Sequence, residues 1–187
     1  VYAIPEGTRA SKGRAIQNVI QIEPDDAVRA YINVRRLDDR EYVTSNYIIM
    51  CTKAGIVKKT LLEAYSRPRQ NGVNAITIKE GDQLIEAKLT SGDSEVLLAA
   101  KEGKAIRFNE KAVRPIGRTG AGVKGITIDG DDEVVGMICV EKDRKEDILV
   151  VSEHGYGKRT DLDDYRITNR GGKGVKTLQI TEKTGKL

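Results

Sequence analysis

The chain has 187 residues, enough for one large domain or two small ones, and its 39% hydrophobic content suffices for a real core. Aromatic residues make up only 4%, with no Trp and one Phe, so Ile, Val, Leu and Ala must build that core, which favours strands. The net charge of +4 is only mildly basic, no run of eighteen apolar residues offers a membrane span, and the opening VYAIPEGTRASKGR lacks the apolar core of a signal peptide. A cytosolic protein with no membrane partner is the expectation.

Taken in chain order, residues 1–33 hold a partial unit in which Tyr2, Arg9 and Gly13 precede an Asp25-Asp26 turn and the apolar stretch AVRAYI, read as a strand. Asp38 to Asn46, with its charged DDRE, reads as a solvated loop. From Tyr47, YIIMCTKAGIVKKT is an apolar strand, a turn ending at Gly55, and a second strand carrying Lys58 and Lys59. LLEAY allows a single helical turn at most. A loop with Arg67 and Arg69 then ends at Gly72, and the alternating VNAITI puts Ile76 and Ile78 on one face of a third strand. A Gly81-Asp82 turn leads to a closing strand, LIEAKL.

The same order recurs from Glu95. EVLLAAKEGKAIRF turns at Gly103 and carries Lys104 and Arg107, a loop with Arg114 and Arg118 ends at Gly122, and VKGITI holds Lys124, Ile126 and Ile128. The Asp131-Asp132 turn leads to VVGMIC. It recurs again from Asp147: DILVVSEHGYGKRT turns at Gly155 and carries Lys158 and Arg159, and DLDDY again allows one helical turn. NRGGKG supplies Arg170 and Lys173, and VKTLQI supplies Lys176, Leu178 and Ile180 before the sequence stops at TGKL. The turn glycines lie 48 and then 52 residues apart. A period near fifty with four short strands and Gly-Asp turns predicts an all-β fold of propeller-like blades in an incomplete arc of about three to four. The repeats span 1–33 (incomplete), 47–90, 95–140 and 147–187 (incomplete).

Charge is segregated within each repeat. Residues 1–22, 55–78, 103–128 and 155–180 together carry 19 Lys and Arg against 6 Asp and Glu, a net +13, which leaves −9 on the rest. If blades are related by rotation, cations at the fourth position past the turn glycine (Lys59, Arg107, Arg159) and at the fifteenth (Arg118, Arg170) recur along one edge. Such a track suits a stiff polyanion, because Lys and Arg neutralise phosphates without reading sequence and successive blades offset the cost of bending a duplex. The candidate contacts are Lys58, Lys59, Arg67 and Arg69 in one repeat, Lys104, Arg107, Arg114, Arg118 and Lys124 in the next, and Lys158, Arg159, Arg170, Lys173 and Lys176 in the last. In Arg170-Gly171-Gly172-Lys173-Gly174 the glycines let backbone N–H groups approach phosphate oxygens.

Catalytic patterns are lacking. His154 stands beside a hairpin glycine with no nucleophile near it in sequence, Tyr65 and Tyr165 share a repeat position better explained by packing, and the paired aspartates read as turn chemistry rather than metal ligands. No phosphate-loop pattern occurs. Cys51 and Cys139 lie in separate apolar runs and read as buried thiols in a reducing compartment.

At IMCTKAGIVKKT, RPRQNGVNAITIKEGDQLIEAKLT, GKAIRFNEKAVRPIGRTGAGVKGI and HGYGKRT the chain resembles the C-terminal DNA-wrapping domain of the bacterial DNA gyrase A protein, and the likeness runs across essentially its whole length. The resemblance implies a β-pinwheel, in which propeller-like blades exchange strands with their neighbours and a basic rim wraps duplex DNA so that strand passage introduces negative supercoils. It implies a piece of a type IIA topoisomerase with no catalytic residue or cofactor of its own. ATP and Mg act through other domains or subunits, the gyrase B subunit is met through the rest of the parent chain, and the cell compartment is the bacterial cytoplasm. The family's box Gln-Arg-Arg-Gly-Gly-Lys-Gly belongs to a first blade, and Thr168 to Gly174 match its last five positions as a degenerate relative. The corresponding domain of topoisomerase IV is a close sister. Two other readings stand beside DNA wrapping: a protein-interaction propeller whose cations meet an acidic partner, and self-association through strand edges exposed by the incomplete repeats.

Overall fold

The structure is a computed structural model that describes residues 7–18, 20, 22, 26–69 and 72–187. Its strands are β1 (Tyr47–Thr52), β2 (Ile56–Leu61), β3 (Leu84–Thr90), β4 (Glu95–Ala100), β5 (Lys104–Asn109), β6 (Val123–Lys124), β7 (Val134–Val140), β8 (Asp147–Val151), β9 (Gly157–Asp161) and β10 (Val175–Lys176). Three antiparallel hairpins, β1–β2, β4–β5 and β8–β9, form where apolar alternation meets a turn glycine. Gly55, Gly103 and Gly155 hold φ of +77°, +81° and +79°, a conformation other residues adopt only under strain.

The sheets follow the order β3-β1-β2-β6, β10-β5-β4-β7 and β8-β9. Each four-stranded blade therefore takes three strands from one repeat and the fourth from the next: β6 pairs with β2, and β10 pairs with β5. This is the strand exchange expected of a pinwheel: residues 95–140 do hold four strands, β4 to β7, but β6 is lent to the preceding blade, and residues 47–90 hold only three. The exchanged strands are also only two residues long. Ile126, Ile128, Leu178 and Ile180 lie beyond them, and residues 73–78 and 27–32 form no strand at all. A strand needs a partner, and residues 73–78 and 27–32 find no hairpin edge among the described residues. Tyr2 and Asp25 fall outside the described residues.

Asp38 to Asn46 is the other correction. Arg40–Ser45 form a short helix, α1, because the Asp39 side chain accepts a hydrogen bond from Tyr42 N and Val43 inserts into the core. LLEAY and DLDDY do form single 3-10 turns, at Leu62–Tyr65 and Leu162–Asp164.

The period-2 pleat sorts each first strand between two clusters. Ile49 and Cys51 join Val96, Leu98 and Ala100 in the core between the first and second blades, while Leu97 joins Ile148 and Val150 between the second and third. Ile48 and Met50 face the other way, against Leu62, Tyr65 and the stretch containing Ala30 and Ile32. Both cysteines are free, and burial pushes their thiols up to about 12.

Candidate nucleic-acid interface

Three of the fourteen candidate cations are buried and hold blades together instead of facing solvent. Lys59 Nζ donates to Glu110 O at 3.1 Å and pairs with the Glu110 carboxylate. Arg107, 8% exposed, pairs with Glu95 in its own hairpin and donates across the blade junction to Leu162 O (2.7 Å) and Tyr165 O (3.0 Å). Lys58 is wholly buried and donates to Ala75 O and Arg118 O; burial pushes its ammonium down to about 8, and the neighbouring Arg118 guanidinium adds to the shift. These side chains are corrected from phosphate contacts to junction residues. A charge beside an apolar strand is drawn inward when a neighbouring repeat presents carbonyls or a carboxylate to it. Arg159, at the position of Lys59 and Arg107, is exposed and pairs with Asp147.

The Arg/Gly loops meet one another in chain order. From the loop ending at Gly122, Arg118 Nη1 donates to Asn74 O at 3.2 Å, and Gly120 O and Thr119 O accept from Thr77 N and Oγ1. From the next loop, Arg170 donates to Ala112 O (2.9 Å) and Lys124 O (3.0 Å), Gly171 N to Gly125 O (2.6 Å), and Gly172 O accepts from Thr127 N (2.8 Å). Residues 72–77, 117–127 and 169–174 are thus stitched into one continuous ribbon. Arg118 and Arg170 aim their donors at carbonyls, which leaves their positive charge uncancelled and half exposed.

Arg67, Arg69, Arg114, Lys124, Lys158 and Lys176 are exposed, and none has a carboxylate within ion-pair reach among the described residues. Lys124 and Lys176 share one position, the second residue of an exchanged strand. Lys104 and Lys173 both approach Asp129, at 4.0 and 3.2 Å, so part of their charge is neutralised locally. Arg166 was missed by sequence reasoning: it follows Tyr165 as Arg114 follows Val113, is exposed, and has no ion pair among the described residues. Its signal was that alignment.

The remaining groups have structural roles. Tyr65 and Tyr165 are buried, their hydroxyls hydrogen-bonded to Ala75 O and Thr177 Oγ1 in the segments that cross between blades. Asp82 and Asp132 cap the hairpin turns, accepting from Ala54 N (2.9 Å) and Glu102 N (3.0 Å). His154 Nδ1 lies 3.1 Å from Lys183 O in an exposed turn. No helix among the described residues is long and apolar enough to cross a membrane.

A family profile described as DNA gyrase C-terminal domain, beta-propeller, matches residues 1–45, 46–91, 94–141 and 146–187. The chain is 44% identical over 186 residues to the DNA gyrase A protein of Staphylococcus epidermidis, covering 100% of this chain and 20% of that protein. It is 44% identical over 184 residues to the DNA gyrase A protein of Staphylococcus aureus, covering 98% and 20%. It thus spans about a fifth of the length of these relatives. Among solved structures, the C-terminal domain of DNA topoisomerase IV superposes with a TM-score of 0.83 at 27% identity, over 93% of this chain and 52% of that one. The DNA gyrase A C-terminal domain does so with a TM-score of 0.79 at 24% identity, over 94% and 57%.

Proposed function

From the premise that this chain belongs to the DNA gyrase C-terminal domain family, we propose that it binds duplex DNA without regard to sequence and bends it along the ribbon of Arg/Gly loops. The supporting observation is the stitching of residues 72–77, 117–127 and 169–174 into one surface whose Arg118, Lys124 and Arg170 have no ion pair among the described residues, with the exposed, unpaired Arg114, Arg166 and Lys176 close to those segments in sequence. Lys and Arg on such a surface displace condensed counterions from the duplex, and this entropy gain supplies most of the affinity. Contacts spread over consecutive repeats favour a curved duplex, since each further repeat reached adds phosphate contacts that offset bending, which costs a few kcal/mol over about 20 to 30 base pairs.

Within a longer type IIA topoisomerase of the bacterial cytoplasm, this segment presents DNA for strand passage. Cleavage, ATP use and contact with a B subunit fall to other parts of the enzyme, and negative supercoiling is the expected outcome. The test is anisotropy of a labelled duplex titrated across salt. Binding that weakens steeply and log-linearly with salt, equally for unrelated sequences, supports the reading. Absence of binding at low salt, or affinity indifferent to salt, refutes it and favours the protein-interaction alternative.

A further inference from the structure

Asp129 is a negative charge set among lysines at the ribbon of Arg/Gly loops. Its backbone leaves the ribbon two residues earlier, at Thr127, whose N–H and hydroxyl donate to Gly172 O (2.8 Å) and Gly171 O (2.7 Å). Its carboxylate lies 3.2 Å from Lys173 Nζ, in the loop of the following repeat, and 4.0 Å from Lys104 Nζ, at the start of β5. Lys104 in turn stands directly opposite Lys176 across β5 and β10, where the pleat sends both side chains to one face. Three lysines thus share one neighbourhood, and a single acid holds two of them.

The preceding blade is arranged the other way. By repeat position Lys79 stands where Asp129 does, Ile56 where Lys104 does, Ala121 where Lys173 does and Lys124 where Lys176 does. Lys79 and Lys124 are exposed, and neither has an ion pair among the described residues. Each set carries a net +2: two lysines without an acid in the first blade, three lysines with one acid in the second. Stability does not account for the carboxylate. The side chains of Lys104, Lys173 and Asp129 are 44%, 68% and 58% exposed, and ion pairs so open to water contribute little to folding. Toward a duplex the same carboxylate acts twice, because it repels phosphate and withholds two cations whose counterion exchange would drive binding.

We propose that Asp129 is the affinity-limiting residue of the DNA surface: its carboxylate occupies Lys104 and Lys173 in place of a backbone phosphate, and a duplex must displace it to engage the second blade. This rests on the reading of the ribbon as a duplex-binding surface. The first blade, with Lys79 and Lys124 open, takes the duplex first. The second blade then closes onto it by exchanging carboxylate for phosphate at Lys104 and Lys173, beside the already open Lys176.

The test titrates the full chain into a labelled duplex at several salt concentrations and compares Asp129→Asn with Asp131→Asn. The second variant removes the same charge from an exposed aspartate of the same turn that pairs with no lysine among the described residues. Asp129→Asn is expected to bind about 3- to 10-fold tighter at low salt and to steepen the slope of log affinity against log salt by about 1 to 2, as one or two lysines become free to neutralise phosphates. Asp131→Asn is expected to change affinity by less than about twofold, because an unpaired exposed charge is largely screened. With Lys104→Gln and Lys173→Gln already in place, Asp129→Asn is expected to give no more than Asp131→Asn. Without DNA, brief acetylation read by mass spectrometry is expected to label Lys104 and Lys173 faster in Asp129→Asn than in the parent, with Lys124 unchanged. Binding by Asp129→Asn no tighter than by the parent, an equal gain from Asp131→Asn, or unchanged labelling of Lys104 and Lys173 overturns the proposal and leaves DNA binding itself in place. Absence of binding by parent and Asp129→Asn alike at low salt overturns both readings.

Discussion

Lys59 and Glu110 belong to consecutive repeats and form an ion pair closed off from water, with Nζ 3.6 Å from Oε1 and side chains only 4% and 0% exposed. The carboxylate also accepts from Thr90 Oγ1 at 2.5 Å and Ser94 N at 3.0 Å, and the ammonium lies 5.1 Å from the centre of the Tyr47 ring. Leu62 and Leu162 hold the position of Glu110 in the neighbouring repeats. A charge has replaced a leucine at one junction and is matched by the lysine facing it.

Breaking that pair from one side strands the other charge, whereas replacing both removes the desolvation cost with them. Glu110→Leu alone is expected to destabilise by about 3 kcal/mol, and Lys59→Met with Glu110→Leu to recover most of the loss. Urea denaturation of the four chains in the cycle measures the coupling.

Arg107 and Arg159 share a repeat position but not an environment. Arg107→Ala leaves the Glu95 carboxylate and the Tyr165 carbonyl without a donor, strips Leu162 O of one of its two, and is expected to cost about 3 kcal/mol or more. Arg159→Ala removes an exposed pair with Asp147 and is expected to cost less than about 1 kcal/mol. Thermal unfolding monitored by circular dichroism distinguishes the two.

Lys124 and Lys176 bear on DNA and not on stability. Each is exposed and lacks an ion pair among the described residues, so alanine at either is expected to leave unfolding unchanged. It is expected to weaken binding equally across sequences, and to reduce the slope of log affinity against log salt by about 1. Lys58→Ala, by contrast, is expected to act on folding first.

Lys58 also sets a pH dependence. Its ammonium is held at about 8, below the usual lysine value of 10.5, so between those pH values the unfolded chain binds more protons than the folded one. Stability from this group therefore rises as pH climbs from 8 toward 10.5 and is lowest below 8. Lys58→Met is expected to flatten that rise relative to the parent chain in denaturation curves taken at successive pH values.

Gly55 and Gly81 separate backbone strain from crowding. Both have positive φ, +77° and +80°, so alanine at either costs about 1 kcal/mol of left-handed strain. At Gly55 the new Cβ also lies 2.7 Å from Ile126 Cγ2 and 3.1 Å from Ile126 O, whereas at Gly81 it meets nothing within 4 Å. Gly55→Ala is expected to cost about 1 to 3 kcal/mol more than Gly81→Ala, read as a difference in urea midpoint.

Much of this was legible in the residue order. The repeat period, the three hairpins with their turn glycines, and the capping roles of Asp82 and Asp132 arise from interactions within one repeat, so spacing and side-chain type suffice to find them, and the shared repeat position of Tyr65 and Tyr165 marked both as packing residues. The short helix after Asp39 was hidden by its charges, because one buried valine and a capping aspartate outweigh a polar surface.

What tertiary structure alone decided is which partner each repeat meets. Lys58, Lys59 and Arg107 read as rim cations because sequence marks them as charged, while their burial depends on carbonyls and carboxylates that are mostly more than 50 residues away. The same holds for the exchanged strands: whether a Gly-Val segment becomes a strand is set by the presence of a neighbouring edge, as residues 123–124 and 73–74 demonstrate with nearly the same sequence. Local preference proposes an element, and the partner that completes its hydrogen bonds or neutralises its charge determines the state it takes.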